Sequence, residues 1–281
     1  LSKERAVALD YKIFDGWINM VPEKFAYGSF DVSYLFSEVG ERVEQGRTTE
    51  EIVEEMDRAG MDQAVLAAGY DFQPDDVPWA LDALKRFPDR FHGSFVVDPR
   101  KGMAGVRELE SRVRDDGFVM ARISAYHTMV PYTDPRCYPL YAKCVELDIP
   151  ISINVGVPGP LVPAAHLQDP IHLDEICAFF PELKIIMAHC GDPWADLCVK
   201  LMLKWKNLYM MTSAFSPKRY PEALVHYMNS RGADKVMFAS DYPLVGLERC
   251  AREVAEMEFR DEERRRKFLS DNARRVILGQ G

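Results

Sequence analysis

Short apolar or β-branched runs alternate eight times with amphipathic stretches along the 281-residue chain, several of those runs are apolar at consecutive positions, and no Pro/Gly/Ser-rich linker interrupts the series. These observations predict an α/β fold with a single domain over 1–281, in which a parallel sheet buried on both faces closes into a (β/α)8 TIM barrel. An open doubly wound sheet is the alternative, but no GxGxxG or GxxxxGKS/T turn follows any of the runs.

Strands are expected at Val7–Ile13, Gln63–Ala68, Phe91–Val97, Phe118–Ile123, Pro150–Val155, Lys184–Ala188, Leu208–Met211 and Lys235–Ala239. Helical periodicity falls at 49–59, 79–87, 103–114, 138–147, 172–180, 194–205, 219–230 and 248–257, with a helical pair over 261–278. Thr48-Thr49-Glu50-Glu51 reads as a helix start, and Pro139 and Pro193 sit where a first turn accepts proline. The first βα connection, at about 14–48, is long and holds Phe14, Trp17, Phe25, Tyr27, Phe30, Tyr34 and Phe36. In a barrel this loop leaves the C-terminal face, so it is expected to form a lid or substrate wall, or else to pack an extra helix near 32–45 onto the barrel.

Composition narrows the function classes. The chain carries 44 acidic against 35 basic residues, and its one cationic run, Arg264-Arg265-Arg266-Lys267, follows Asp261-Glu262-Glu263, so a nucleic-acid partner is not expected. The longest apolar runs, such as Ile185-Ile186-Met187-Ala188, fall far short of the roughly 18 residues that span a bilayer, so no membrane segment is expected. Six cysteines without a CxxC read as reduced thiols, and the charged N-terminal residues are not followed by a signal-like apolar region; both point to the cytoplasm.

In a barrel the chemistry gathers at the C-terminal ends of the strands. Two apolar strands end abruptly in a titratable residue: Ile185–Ala188 runs into His189, and Val236–Ser240 into Asp241. An imidazole and a carboxylate at one mouth supply a general acid/base with either a metal ligand or an orienting partner. Lys12, Tyr70, Arg122, Tyr126, His127 and Asn154 fall at other strand ends or in the loops that follow them.

Several stretches resemble the amidohydrolase-related (type 2) family: Met187-Ala188-His189-Cys190-Gly191-Asp192-Pro193-Trp194, Asn207-Leu208-Tyr209, Lys235 through Ser240-Asp241-Tyr242-Pro243, and Asp271-Asn272-Ala273, with the 117–150 region following the same pattern. That family includes aminocarboxymuconate semialdehyde decarboxylase-like and resorcylate-type decarboxylases and related hydrolases. The resemblance implies a barrel with one divalent metal, usually held by a His-x-His or Glu-x-His pair ending the first strand, a His ending the fifth and an Asp ending the eighth, with a sixth-strand His as acid/base. His189 and Asp241 match. With the first strand at Val7–Ile13, Lys12 and Phe14 occupy the paired-histidine positions, and Asn154 stands where the fifth-strand His is expected. A catalytic zinc site needs about three strong protein donors, so no tightly bound metal and no other cofactor are expected.

Without a dication, Asp241 would need another counter-ion. Lys12 is expected to supply it from the inward face of the first strand, the alternative being that its ammonium extends to solvent. Arg122 reads as a carboxylate clamp or a structural ion pair. Tyr126, His127, Trp17, Tyr70 and Asn154 complete the expected substrate-binding set, with packing as the alternative for each aromatic. The expectation is a metal-independent lyase or hydrolase, decarboxylases included, with His189, Asp241 and Lys12 acting on a small carboxylated or cyclic substrate. Two alternatives stay open: a catalytically silent barrel that binds a small molecule or protein, and a metal-dependent hydrolase with a reduced ligand set at His189, Asp241 and Asn154. The family resemblance implies a homodimer.

Overall fold

The computed structural model describes residues 11–22, 34–35, 42 and 45–280. Eight strands, β1 (Ile13–Asn19), β2 (Met61–Ala68), β3 (Phe91–Val96), β4 (Met120–Ile123), β5 (Ile151–Asn154), β6 (Ile185–Ala188), β7 (Leu208–Met211) and β8 (Val236–Met237), form one sheet in sequence order. All neighbouring pairs are parallel. The chain beyond β8 closes the sheet onto β1. The Gly16 N–H donates to the Phe238 carbonyl at 3.0 Å, the Asp241 N–H to the Trp17 carbonyl at 3.0 Å, and the Asn19 N–H to the Tyr242 carbonyl at 2.8 Å. The barrel expected from the eightfold alternation is the fold the chain adopts.

The period of two along each strand sorts the core into two layers. Val65, Ala67, Met120, Ile186, Met211 and Met237 form one cluster, the barrel filling. Their neighbours Leu66, Ala121, Ile151, Ile185, Met210 and Val236 join a second, larger cluster under the surrounding helices. The first of those helices, Thr49–Arg58, begins with reciprocal bonds between Thr48 and Glu51, as its sequence suggests. At the C-terminus, Glu262–Arg266 continues through a wide turn at Lys267–Asp271 into Asn272–Leu278, whose Ala273, Val276 and Ile277 join the filling.

The first strand differs from its expected position. Residues 7–10 lie outside the described residues, and the strand the barrel uses starts at Ile13. Its sequence, IFDGWIN, hides it: Asp15 and Gly16 interrupt the apolar alternation, and the register shifts between Asp15 and Ile18. Such a shift changes which side chains face inward; here Phe14 and Trp17 both join the barrel filling. Asp15 is fully buried because it stitches the closure, accepting from the Trp17 N–H at 3.0 Å and the Ser240 N–H at 2.9 Å.

Lys12 is therefore not a mouth residue. It is exposed and precedes β1, so the whole strand, seven residues at about 3.3 Å each or roughly 23 Å, separates it from the mouth. The loop after β1 correspondingly begins at Met20. Phe25, Tyr27, Phe30 and Phe36, and most of 32–45, lie outside the described residues.

Candidate active site

At the C-terminal ends of the strands lies a cavity of about 890 Å³, lined on one side by Trp17, Tyr70, Phe72, Tyr126 and His127 and on others by Gln168, Phe215, Arg219, Leu244 and Arg249, with His189 and Asp241 also in its wall. His189 directly follows β6 and Asp241 follows the short β8, and both have positive φ, +71° and +60°. Non-glycine residues seldom adopt this conformation and concentrate at sites where the surrounding structure enforces it.

His189 is held at two points by Ser213, just beyond β7. Its backbone N–H donates to Ser213 Oγ at 3.2 Å, and its Nδ1 lies 3.0 Å from the same oxygen. The Asp241 Oδ2 is 3.7 Å from Nδ1. Burial dominates the ionisation of both: it lowers the His189 imidazole to about 4 and raises the Asp241 carboxyl to about 6, with the Asn19 hydrogen bond and the nearby Arg122 charge opposing the latter shift. At neutral pH the pair is a neutral imidazole beside a carboxylate.

Because β1 ends at Asn19, the two mouth-facing positions of that strand are Trp17 and Asn19, in place of Lys12 and Phe14. The Trp17 indole N–H donates to Asn19 Oδ1 at 2.8 Å, and Asn19 Nδ2 donates to Asp241 Oδ1 at 2.8 Å. The indole ring tilts against the His189 ring, with centroids 5.1 Å apart. Asn19 is the residue beside Asp241 that sequence reasoning missed. Its signal was the register Trp17-Ile18-Asn19, a second x-Ile-x reading of the first strand that a polar Asp-Gly interruption made hard to accept.

Arg122 is a structural cation beneath the floor and does not line the cavity. It is 2% exposed, its Nε donates to Ser94 Oγ at 2.6 Å, one terminal nitrogen donates to the Gly16 carbonyl at 2.8 Å, and its guanidinium lies 3.6 Å from the Trp17 ring centroid. Burial pulls it down to about 10, so it stays charged. Asn154 is likewise buried behind the wall, its Nδ2 donating to Ser124 Oγ at 3.3 Å. Tyr70, Tyr126 and His127 do come together: Tyr126 and His127 ring centroids are 4.1 Å apart, and Tyr70 meets His127 edge-on at 5.5 Å. Asp76 anchors this wall by accepting the Gly69 and Tyr70 N–H groups, both at 2.9 Å. Gly69 has φ +103°, and a Cβ there would lie 2.7 Å from the Phe95 ring.

The donor set does not fit a divalent ion. Among the described residues no three His, Cys, Asp or Glu side chains gather as a metal would require. The mouth offers His189 and Asp241 as strong donors, while Trp17 offers none and the Asn19 amide turns its N–H toward the carboxylate.

The family model described as Amidohydrolase matches residues 16–277, and the chain belongs to that family of enzymes. Among solved structures, an uncharacterised TIM-barrel protein from Bordetella bronchiseptica superposes with a TM-score of 0.79 at 22% identity, over 96% of this chain and 100% of that one. A 5-carboxyvanillate decarboxylase from Novosphingobium aromaticivorans, complexed with manganese, gives 0.73 at 19% identity over 96% of each chain. Among curated proteins, a 2-keto-4-carboxy-3-hexenedioate hydratase from a Sphingobium species is 30% identical over 142 residues, 41% of each chain. A gamma-resorcylate decarboxylase from Rhodococcus jostii is 24% identical over 217 residues, 61% of this chain. These alignments span 41% and 66% of the two relatives' own lengths. No helix among the described residues is long and apolar enough to cross a membrane.

Proposed function

We propose that the protein is a metal-independent lyase of this family, a decarboxylase or hydratase, acting on a small unsaturated or aromatic carboxylate. One observation carries this reading: His189 and Asp241, 3.7 Å apart, share the wall of a cavity also lined by Trp17, Tyr70, Phe72 and Tyr126, with no third strong metal donor beside them among the described residues. The neutral His189 imidazole is in place to take or give a proton at a carbon next to a carbonyl or carboxylate. Ser213 orients that imidazole, and Asp241, 3.7 Å from Nδ1, stabilises the imidazolium that forms. Trp17, Tyr70, Tyr126 and His127 would stack against a planar substrate; Tyr34 and Leu35 also line the cavity, and the reading has the first βα connection as a lid. The hydratase and decarboxylases among the relatives act on compounds of this class. The same reading has a homodimer, as the family resemblance implies, in the cytoplasm, with which six buried cysteines free of disulfides are in keeping.

The test is turnover of 2-keto-4-carboxy-3-hexenedioate and gamma-resorcylate by protein stripped with EDTA, beside the His189→Asn variant. Metal-free turnover that disappears in the variant supports the reading. Turnover that returns only with added manganese or zinc would move the protein to the metal-dependent alternative. Binding without turnover, unaltered in the variant, would make it a silent barrel.

A further inference from the structure

The orientation of the Asn19 side chain is fixed by its partners. Trp17 Nε1 can only donate, so the Asn19 atom 2.8 Å from it is the carbonyl oxygen. The amide nitrogen then faces two acceptors, Asp241 Oδ1 at 2.8 Å and the Tyr242 carbonyl at 2.9 Å. A flipped amide would set N–H against N–H on one side and oxygen against two oxygens on the other. Asn19 thus presents a partial positive charge to Asp241 from the end of β1, the strand end that the family resemblance gives to metal-binding histidines. The Trp17 ring contacts both the Arg122 guanidinium, 3.6 Å from its centroid, and the His189 ring, at 5.1 Å.

We propose that Asn19 is a positioning residue that takes the place of a divalent cation at Asp241, locked in its donor orientation by the Trp17 indole. This inference rests on the metal-independent reading above. It has a sharp consequence: Asn19→Asp changes NH2 to oxygen with little change in shape, turning the donor into an acceptor. The introduced carboxylate would then join Asp241 and His189 as a third strong donor, and two facing carboxylates favour a cation between them.

The experiment titrates the intact wild-type, Asn19→Asp and Asn19→Asp/His189→Asn proteins with Mn²⁺ alone, reading bound metal by electron paramagnetic resonance and equilibrium dialysis. The wild type is expected to bind no stoichiometric Mn²⁺. Asn19→Asp is expected to bind one equivalent, at least roughly tenfold tighter than either the wild type or the double variant. If Asn19→Asp does not fold, Asn19→His carries the same expectation. A folded Asn19→Asp protein as free of Mn²⁺ as the wild type would overturn this inference and leave the proposed activity standing. Stoichiometric Mn²⁺ binding by the wild type would overturn both this inference and the metal-independent reading.

Discussion

The Asn19 amide donates to the Asp241 carboxylate at 2.8 Å across the seam where the end of the chain's last strand closes onto its first. The two residues are 222 positions apart in sequence, and their contact ties the barrel's closure to its chemistry. The same bulged strand also holds the Asp241 backbone, whose N–H donates to the Trp17 carbonyl at 3.0 Å.

Removing the imidazole should remove the proton carrier. His189→Asn is expected to lower kcat by about 10²–10⁴-fold, the usual contribution of a positioned general acid/base. Its near-ultraviolet circular dichroism should match the wild type, because Asn accommodates the positive φ that His189 adopts.

The pH profile follows from the opposite displacements of the pair. Asp241 titrates at about 6, above its usual value, and His189 at about 4, below its usual value. The active form needs Asp241 ionised and His189 neutral, so kcat/KM should rise with pH and level off above about 6. A profile that instead falls as pH rises through 6 would show that the protonated carboxyl is the working form.

Arg122→Met tests the buried cation. Arg122 is the positive charge that opposes the burial of Asp241 and donates to Ser94 and Gly16. Its loss is expected to cost on the order of 3 kcal/mol in urea unfolding, since removing one partner leaves buried charge uncompensated.

Asp76→Ala should loosen the aromatic wall. The Gly69 and Tyr70 N–H groups would lose their shared acceptor, at a cost of about 1–3 kcal/mol for unsatisfied buried groups. Because Tyr70 lines the cavity, KM should rise more than kcat falls, measured on the substrate found active.

Lys12→Met should change neither kcat nor KM by more than about twofold, since an exposed side chain at the far end of β1 touches none of the reacting groups.

Seven of the eight strands and their crossover helices could be placed from the sequence, because a parallel strand buried on both faces is a continuous apolar run and the helices between keep their own period. His189 and Asp241 were legible for the same reason: each ends an apolar run on a titratable residue. Four aromatic wall positions, Trp17, Tyr70, Tyr126 and His127, were also named from the sequence, and the structure gathers all four at the cavity.

The first strand was not legible. A buried aspartate and a glycine in its middle look like a turn, and only closure against Phe238, Ser240 and Tyr242 gives those polar groups their partners. Fixing that strand's register moved Lys12 out of the site and brought Asn19 in. It also decided between the two readings of Arg122, whose partners come from β1 and β3: the guanidinium packs against Trp17 and is not at the cavity wall. The barrel, and the placing of His189 and Asp241 at its strand ends, are written in local periodicity and need nothing beyond the order of the residues. What faces Asp241, a cation or an amide, depends on the closure of the barrel, where a bulge in one strand sets which side chains point inward.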